Sequence, residues 1–330
     1  MKKNSRVIDM SKKKYDMRLM VKCAQMYYDE ELNQANIAEK LQISKSSVSR
    51  ILSAAKEEGV VKVVVNNPFK DENIKLEKQL EERFDLKEAI IVDSMSNDYE
   101  EIKKELAKAA ADYLERIIKD GQIIGVTMGT TLCKIPMYVK NDKKHDVTFI
   151  PLLGGVGETN VEIHPNSIAL NLAKKFRADC KLLHAPSIVD NPDRKEMFVQ
   201  DKNIQSFFDL MKRVDIAVAG IGFPLENTST LVESGYFTMQ DIKELEEQGA
   251  VADISMLFMD KYGDGSSFES NKRVIGMNLE TLKRVPLTIG IAGHEHKSKA
   301  ILATLVGKYI DVLITDENTA ESVLKLSDTY

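Results

Sequence analysis

The sequence has few cysteines and no long hydrophobic run, and these absences exclude several classes of protein. The chain has 330 residues, and its three cysteines, Cys23, Cys133 and Cys180, are far apart and odd in number. Such cysteines predict neither a disulfide framework nor a structural zinc site, and they are typical of a reducing compartment. No apolar run approaches the roughly 18–20 residues that span a bilayer, and residues 1–14 lack the apolar core of a secretory signal. We therefore expect a cytoplasmic protein with no membrane partner, metal or other cofactor.

The sequence also lacks internal repeats and low-complexity tracts. Hydrophobic residues make up 43% of the chain and charged residues 29%, which is the ordinary balance of a soluble globular protein. A chain of this length is long enough for two domains.

Positive charge is concentrated near the N-terminus. Residues 1–62 contain 13 Lys or Arg and 8 Asp or Glu, a net charge of +5, whereas the rest of the chain has 33 basic and 43 acidic residues, a net charge of −10. A basic head on an acidic body indicates that the head binds a polyanion such as nucleic acid. A solvated basic terminus is the alternative.

The basic segment has the pattern of a helix-turn-helix. Apolar residues recur at helical spacing in residues 15–28 and in two later segments that are separated by a turn at Gln42 and Ile43. Asn33 and Ser44 are good N-caps, because a side-chain oxygen can accept a backbone N–H of the first helical turn. The helix after Ser44 is expected to bury Val48, Ile51, Leu52 and Ala55.

The other face of this last helix carries small polar and basic side chains. In a helix-turn-helix protein the second helix lies in the major groove and its first residues reach base edges. Serine hydroxyls can contact bases, and Lys45 and Arg50 can neutralise phosphates or bind guanine. We expect double-stranded operator DNA as a partner, with contacts from Gln34, Ser44, Lys45, Ser46, Ser47, Ser49 and Arg50. An ordinary helical hairpin with a solvated basic face is the alternative.

A short apolar run at residues 60–65 predicts a strand or the edge of a wing. Asn66, Asn67 and Pro68 then interrupt the pattern, and the proline disfavours helix at Asn67. We therefore predict a helix-turn-helix DNA-binding domain over residues 1–66 and a second domain over residues 67–330.

The second domain alternates short apolar runs with amphipathic helices. Strands are predicted at 88–93, 122–127, 147–153, 180–184, 214–219, 254–259, 274–277, 287–292 and 310–315, and helices around 76–84 and at 99–118, 165–177, 238–248, 297–306 and 317–324. This alternation predicts an α/β fold with a doubly wound, mostly parallel sheet.

Glycine-bearing loops follow five of these predicted strands. In a parallel sheet such loops meet at the carboxyl edge, where ligands bind. Hydroxyls, free backbone N–H groups and Lys297 suit a phosphate, whereas Asp260 and Asn166 suit hydroxyl groups. We therefore expect a phosphorylated sugar as the effector, bound by Gly129, Thr130, Thr131, Gly154, Gly155, Asn166, Asp260 and Lys297. Each loop alone is also what an ordinary strand-to-helix turn contains.

Two histidines, His294 and His296, are the residues that come nearest to a catalytic or metal-binding pattern. A pair of this spacing without a third ligand is a weak signal, and helix capping is the alternative. No activated serine or cysteine nucleophile is evident. We therefore predict no catalytic residue, no metal ligand and no enzyme activity. A sugar-phosphate isomerase or deaminase with an added N-terminal domain is the alternative function.

Nine segments carry a resemblance to a known family, and four of them are quoted next. They are QANIAEKLQISKSSVSRIL (34–52), DGQIIGVTMGTTL (120–132), VADISMLFMDKYGDG (251–265) and IAGHEHKSKAILATLVGKYIDVLITDENTA (291–320). With these motifs the chain resembles, nearly end to end, the SorC family of bacterial transcriptional regulators.

The resemblance implies a helix-turn-helix joined to an effector domain like those of ribose-phosphate isomerase and glucosamine-phosphate deaminase. It implies a homo-oligomer, usually a tetramer, whose DNA affinity changes when a phosphorylated sugar binds. Carried over by motif, it places the phosphate loop at Gly129, Thr130 and Thr131. Further ligand contacts are implied for Gly154, Gly155, Asn166, Asp260 and Lys297.

The chain departs from the family pattern at Met128, where the family often has an aromatic residue, and at His294, where it often has glycine. Leu153 stands directly before Gly154, and a leucine cannot form a Schiff base with a sugar. We therefore expect no covalent capture of the effector at that position.

Overall fold

In a computed structural model, the chain divides into two units, Met1–Pro68 and Phe69–Tyr330. The structure describes residues 15–63, 71–93, 98–140, 143–155, 161–223, 230–233 and 235–329. Within these ranges no helix combines the length and the hydropathy that a membrane span requires.

Residues 15–63 of the first unit form three helices: α1 (Met17–Tyr28), α2 (Gln34–Leu41) and α3 (Lys45–Glu57). Both predicted caps are confirmed, since Asn33 Oδ1 accepts the backbone N–H groups of Ala35 and Asn36, and Ser44 Oγ accepts that of Ser47. The predicted face of α3 is buried, and with residues of α1 and α2 it forms the core of the unit: Met20, Cys23, Ala24, Ile37, Ala38, Val48, Ile51, Leu52 and Ala55.

The strand predicted at 60–65 is wrong over residues 60–63, which lie in a bend and an irregular segment. The backbone N–H of Val61 donates to the carbonyl of Ala55 at 2.9 Å, so the chain folds back on the end of α3. Val60 and Val61 pack on the core of the first unit instead of pairing with another strand. Residues 64–70, which include the predicted domain boundary, lie outside the described ranges.

The described residues of the second unit form nine strands. They are β1 (Glu88–Val92), β2 (Ile123–Val126), β3 (Thr148–Pro151), β4 (Asp179–Cys180), β5 (Ile216–Gly220), β6 (Ala252–Ile254), β7 (Leu257–Met259), β8 (Leu287–Ile291) and β9 (Val312–Asp316). Seven of them form one sheet in the order β1-β9-β8-β5-β2-β3-β4, and each neighbouring pair is parallel.

Helices cover both faces of this sheet. They are α4 (Asp71–Phe84), α5 (Tyr99–Ile117), α6 (Ile135–Tyr138), α7 (Pro165–Phe176), α8 (Pro192–Gln200), α9 (Lys202–Met211), α10 (Thr230–Glu233), α11 (Met239–Glu247), α12 (Leu279–Leu282), α13 (Ser298–Val306) and α14 (Glu317–Ser327). One core lies under α5 and α7, and a second core under α13 and α14. Because these strands are buried on both faces, they consist of nearly continuous apolar residues. The predicted doubly wound α/β fold is confirmed.

The strand order reverses between β2 and β5. From β2 the chain proceeds outward through β3 and β4, whereas from β5 it proceeds in the opposite direction through β8 and β9. The carboxyl ends of β2 and β5 therefore flank a topological switch point, which is where open α/β sheets bind ligands.

Two strand predictions are corrected by the structure. Residues 254–259 do not form one strand: β6 and β7 form an antiparallel hairpin, turned at Ser255 and Met256 with φ values of 55° and 63°. Residues 274–277 form no strand of the sheet, and Val274 and Gly276 make only isolated bridges. Helices α8 and α9 were not predicted.

Candidate functional site

A cavity of about 60 Å³ lies at the switch point between β2 and β5. Its lining includes four of the eight residues predicted for effector binding: Gly129, Thr130, Thr131 and Lys297. The other lining residues are Met128, Leu132, Gly220, Ile221, Gly222, Leu231, Asp253, Ser255 and Ile291. We call this space the switch-point cavity.

The loop after β2 presents backbone donors to the switch-point cavity. The hydroxyl of Thr127 accepts the backbone N–H of Gly220 at 3.0 Å, which joins the ends of β2 and β5. Within the described residues, the backbone N–H groups of Thr130 and Thr131 have no hydrogen-bond acceptor. Two free N–H groups beside two threonine hydroxyls form a site that suits an anion or a polyhydroxyl ligand.

Lys297 supplies the positive charge of the cavity. It ends the 3₁₀ turn Glu295–Lys297, which follows β8 and leads into α13. Its Nζ donates to the carbonyl of Ile221 at 2.9 Å. Burial lowers the pKa of Lys297, and the charge of the nearby Asp253 acts in the opposite direction. The ammonium group is therefore held at the carboxyl end of β5 without an ion pair to a described carboxylate.

Asp253 is a buried carboxylate in the same cavity. Gly222 and Asp253 exchange two backbone hydrogen bonds, of 2.8 and 3.1 Å, which join β6 to the end of β5. A side chain at Gly222 would overlap Asp253 Oδ1, so this close approach requires glycine. Burial raises the pKa of Asp253 to about 6, although the backbone N–H of Met256 and the charge of Lys297 oppose the shift.

Ser255, in the turn between β6 and β7, adds a hydroxyl to the switch-point cavity. The Oγ of Ser255 is buried, and it has no hydrogen-bond partner in the described structure. A buried hydroxyl without a partner is costly unless a ligand or water satisfies it.

Asp253 and Ser255 were missed at the sequence level because residues 254–259 were predicted to form one strand. The available signal was an aspartate and a serine within an otherwise apolar run, VADISMLFM.

The structure places Gly154 and Gly155 in a backbone contact outside the lining of the cavity. The backbone N–H of Gly154 donates to Ile275 O at 2.9 Å, and that of Gly155 donates to Ala185 O at 2.7 Å. Any side chain at Gly154 would overlap the carbonyl of Pro186. Gly154 therefore allows the neighbouring segment at Pro186 to approach closely.

Asn166 and Asp260 are also placed away from the lining of the cavity. The Asn166 amide makes two hydrogen bonds to the backbone of Leu183, at 3.0 and 3.1 Å. The Asp260 carboxylate accepts the backbone N–H groups of Tyr262 and Asp264, both at 2.9 Å, and closes the turn after β7. Both side chains hold local backbone, and the structure does not bring them to Lys297 or Thr130.

The residues predicted to contact DNA lie at the start of α3 and beside it. Ser44, Lys45, Ser46, Ser49 and Arg50 are exposed, whereas Ser47 and Gln34 are partly exposed. A shallow groove of about 830 Å³ includes both Gln34 and Lys45 in its lining. Neither Lys45 nor Arg50 forms an ion pair within the part of the chain that the structure describes, so both cations are available to phosphates.

No three or more His, Cys, Asp or Glu side chains cluster as a metal site within the described ranges.

Comparisons with known proteins identify the family. The Sugar-bind family model, described as "Putative sugar-binding domain", matches residues 69–325. A deoxyribonucleoside regulator from Bacillus subtilis is 34% identical over 307 residues, which cover 93% of this chain and 97% of that protein. The sorbitol operon regulator of Klebsiella pneumoniae is 29% identical over 312 residues, 94% of this chain and 98% of that protein.

Solved structures agree with this assignment. The full-length sorbitol operon regulator SorC from Klebsiella pneumoniae matches with a TM-score of 0.72 and 28% identity, covering 93% of this chain and 98% of that chain. A DeoR family transcriptional regulator from Listeria monocytogenes matches with a TM-score of 0.70 and 34% identity, covering 76% of this chain and 99% of that chain. The chain therefore belongs to the SorC family of transcriptional regulators, with its sugar-binding domain over residues 69–325.

Proposed function

We propose that the first unit binds double-stranded operator DNA of carbohydrate-metabolism genes and that the second unit binds a phosphorylated sugar, which changes the affinity for the operator. The proposal rests on the donors of the switch-point cavity. The ammonium group of Lys297, the free N–H groups of Thr130 and Thr131 and the unpartnered hydroxyl of Ser255 all line one cavity. Such a set suits a ligand with both an anionic group and hydroxyls.

In this proposal the two kinds of donor have separate roles. Lys297 and the loop of Thr130 and Thr131 hold the phosphate, because these groups supply a positive charge and backbone N–H donors. Asp253 and Ser255 bind sugar hydroxyls, a role that the sequence pattern had assigned to Asp260 and Asn166. Gln34 and the α3 residues from Ser44 to Arg50 contact DNA.

In this proposal, binding of the effector and binding of the operator are thermodynamically linked. If the effector binds one arrangement of a homo-oligomer better than another, operator affinity changes by the same coupling free energy. We propose that the assembly is a tetramer that acts on DNA in the cytoplasm. The effector can either lower or raise the affinity of this tetramer for the operator, since linkage allows both directions.

A thermal-shift screen tests the effector. Full-length protein is heated with ribose 5-phosphate, fructose 6-phosphate and glucosamine 6-phosphate, and with the matching unphosphorylated sugars. We expect at least one phosphate ester to raise the melting temperature more than its unphosphorylated sugar. Lys297→Ala should remove this difference, and an unchanged difference in that variant would contradict the proposed phosphate site.

The best ligand is then added to a complex of the full chain with a DNA fragment that has been selected in vitro for binding to it. A change in DNA affinity is expected. Equal affinity with and without a ligand that binds would contradict effector control.

We propose that the chain has no enzyme activity. Asp253 beside Lys297 is an acid–base pair of the kind that an isomerase or deaminase needs, so turnover must be measured directly. Incubation with ribose 5-phosphate or glucosamine 6-phosphate should give no product at ordinary enzyme rates of about 1 s⁻¹ or more. Conversion at such a rate would favour the enzyme alternative.

A further inference from the structure

Four aromatic or imidazole rings gather at the carboxyl edge of the sheet: Tyr99 in the first turn of α5, Phe223 after β5, and His294 and His296 after β8. The ring centroid of Tyr99 lies 5.2 Å from that of His294 and 5.4 Å from that of His296. The two imidazole centroids are 4.6 Å apart, and Phe223 lies 6.4 Å from His296. We call these four residues the ring cluster.

Two members of the ring cluster are sequence neighbours of residues that line the switch-point cavity. His296 directly precedes Lys297, and Phe223 directly follows Gly222, while Lys297 and Gly222 both line the cavity. The four rings are not among the residues that line the cavity, so a ligand held at Lys297 contacts them only if it extends past that lining.

The two imidazoles form a hydrogen-bonded pair. Their Nδ1 atoms are 2.6 Å apart, so one ring donates its proton and the other accepts it. Burial, the neighbouring imidazole of His294 and the positive charges of Lys297 and Lys103 lower the pKa of His296 to about 4. Rings of this kind suit the C–H faces and hydroxyls of a sugar, whereas the nearby lysine suits its phosphate.

The backbone at His294 is unusual. Its φ is 77°, a conformation that favours glycine, and its N–H donates to Asp316 Oδ2 at 2.6 Å. A histidine at this position therefore has a strained backbone, and such strain is found at functional sites. Lys103 Nζ lies 4.0 Å from the ring centroid of Tyr99, which fixes that ring in the cluster.

We propose that the ring cluster is the wall of the effector site that contacts the sugar, and that it determines which sugar phosphate binds. This inference rests on the proposed function, because it assigns the sugar-contacting wall of the same site. The phosphate is held elsewhere, by Lys297 and the loop of Thr130 and Thr131.

The test compares sugar phosphates with inorganic phosphate. Affinities of the full-length protein for inorganic phosphate and for ribose 5-phosphate, fructose 6-phosphate and glucosamine 6-phosphate are measured by calorimetry or melting-temperature titration. The variants are His296→Ala, His296→Phe and His294→Gly, and the matched control is His145→Ala. His294→Gly retains the fold because φ at this position suits glycine.

His296→Ala should weaken the preferred sugar phosphate by about 3- to 10-fold, the range of a ring-stacking contact, while phosphate affinity changes by less than about twofold. His296→Phe should restore part of the loss, because it restores the ring face. His294→Gly should change the ranking of the three sugar phosphates, and His145→Ala should change none of these values.

Two failures are distinguishable. If sugar phosphates bind the wild type and depend on Lys297, but their preference over phosphate is unchanged in both His296→Ala and His294→Gly, the ring cluster is not the wall and the proposed function stands. If neither phosphate nor any sugar phosphate binds the wild type, both the proposed function and the ring-cluster proposal are overturned.

Discussion

Gly154 and Gly155 are adjacent after β3, yet the space around them differs. A Cβ at Gly154 would overlap the carbonyl oxygen of Pro186, whereas one at Gly155 would lie 3.7 Å from Ala185 O, an ordinary contact. We expect Gly154→Ala to lower the free energy of unfolding by about 1–3 kcal/mol and Gly155→Ala to change it by less than about 0.5 kcal/mol. Urea denaturation measures both, and equal losses would contradict the difference in packing.

Asp253 should make the folded state more stable as the pH falls, whereas most aspartates make it less stable. Its folded pKa is raised to about 6, so the folded state binds its proton more tightly than the unfolded state. This group therefore adds stability as the pH falls from about 6 toward about 4, by at most about 3 kcal/mol.

The substitution Asp253→Asn removes this dependence. The variant should gain stability relative to wild type at pH 7.5 and lose that gain at pH 4.5, as measured by urea denaturation at both values. Asp264→Asn is the control, because hydrogen bonds from Ser266 lower the pKa of Asp264, so this variant should show no such gain. A pH-independent difference for Asp253→Asn would contradict the raised pKa.

At the residue scale, half of the residues that the sequence predicted for effector binding line the cavity. Gly129, Thr130, Thr131 and Lys297 were predicted from loops that follow strands, and the structure places them together. Asp260 and Asn166 were predicted from residue type, but backbone groups already satisfy both side chains. A sequence shows which side chains can bind a hydroxyl, but it does not show which of them are already occupied by the fold.

At the scale of one element, α3 is expected to carry the DNA contact. Arg50 is exposed and has no ion pair with a described residue. Arg50→Ala should weaken DNA binding and reduce the slope of log affinity against log salt by about 1 if Arg50 contacts a phosphate. Filter binding at several salt concentrations measures this slope.

Lys56→Ala, near the other end of α3, is the matched control and should leave the slope unchanged. If Arg50→Ala and Lys56→Ala behave alike, the start of α3 is not the DNA-contacting end. Melting temperatures of both variants should equal that of the wild type, because both side chains are exposed.

Local signals led to some elements but not to all, since α9 was missed although Asp201 caps it and its apolar residues recur at helical spacing. The helices α2 and α3 have capping side chains and apolar residues at helical spacing, and both signals are visible within a few residues. Helix α8 buries none of its side chains, so it has no apolar face to detect. The hairpin of β6 and β7 turns on positive φ values at Ser255 and Met256, which neither residue type favours.

At the scale of the whole molecule, the two units should separate by function. A fragment of residues 69–330 should bind the same sugar phosphates as the full chain, because all residues of the switch-point cavity lie within it. It should not bind DNA. Calorimetry and gel shift of the fragment and the full chain make this comparison, and a fragment that still binds DNA would contradict the assignment of DNA binding to the first unit.

The site as a whole depends on strand order, which the sequence pattern did not contain. Alternating strands and helices predicted a doubly wound sheet, but they did not show that β2 and β5 are neighbours. That adjacency is made by long-range pairing of Ile124 with Ile216 and of Val126 with Val218. Only this pairing brings the loop of Thr130 to the end of β5, and so the switch point could not be located from local spacing.

The pairing of β1 with β9 has a consequence for synthesis of the chain. Glu88 pairs with Val312 and Val92 with Asp316, so β1, the first strand of the sheet to be made, pairs with β9, which is made much later. At roughly 5–20 residues per second, translation takes on the order of 10–45 s to pass from one strand to the other. The first unit can fold on the ribosome during that time, whereas the edge of the sheet at β1 is completed only after β9 has been made. A nascent chain that stalls before β9 leaves an unpaired strand for chaperones to protect.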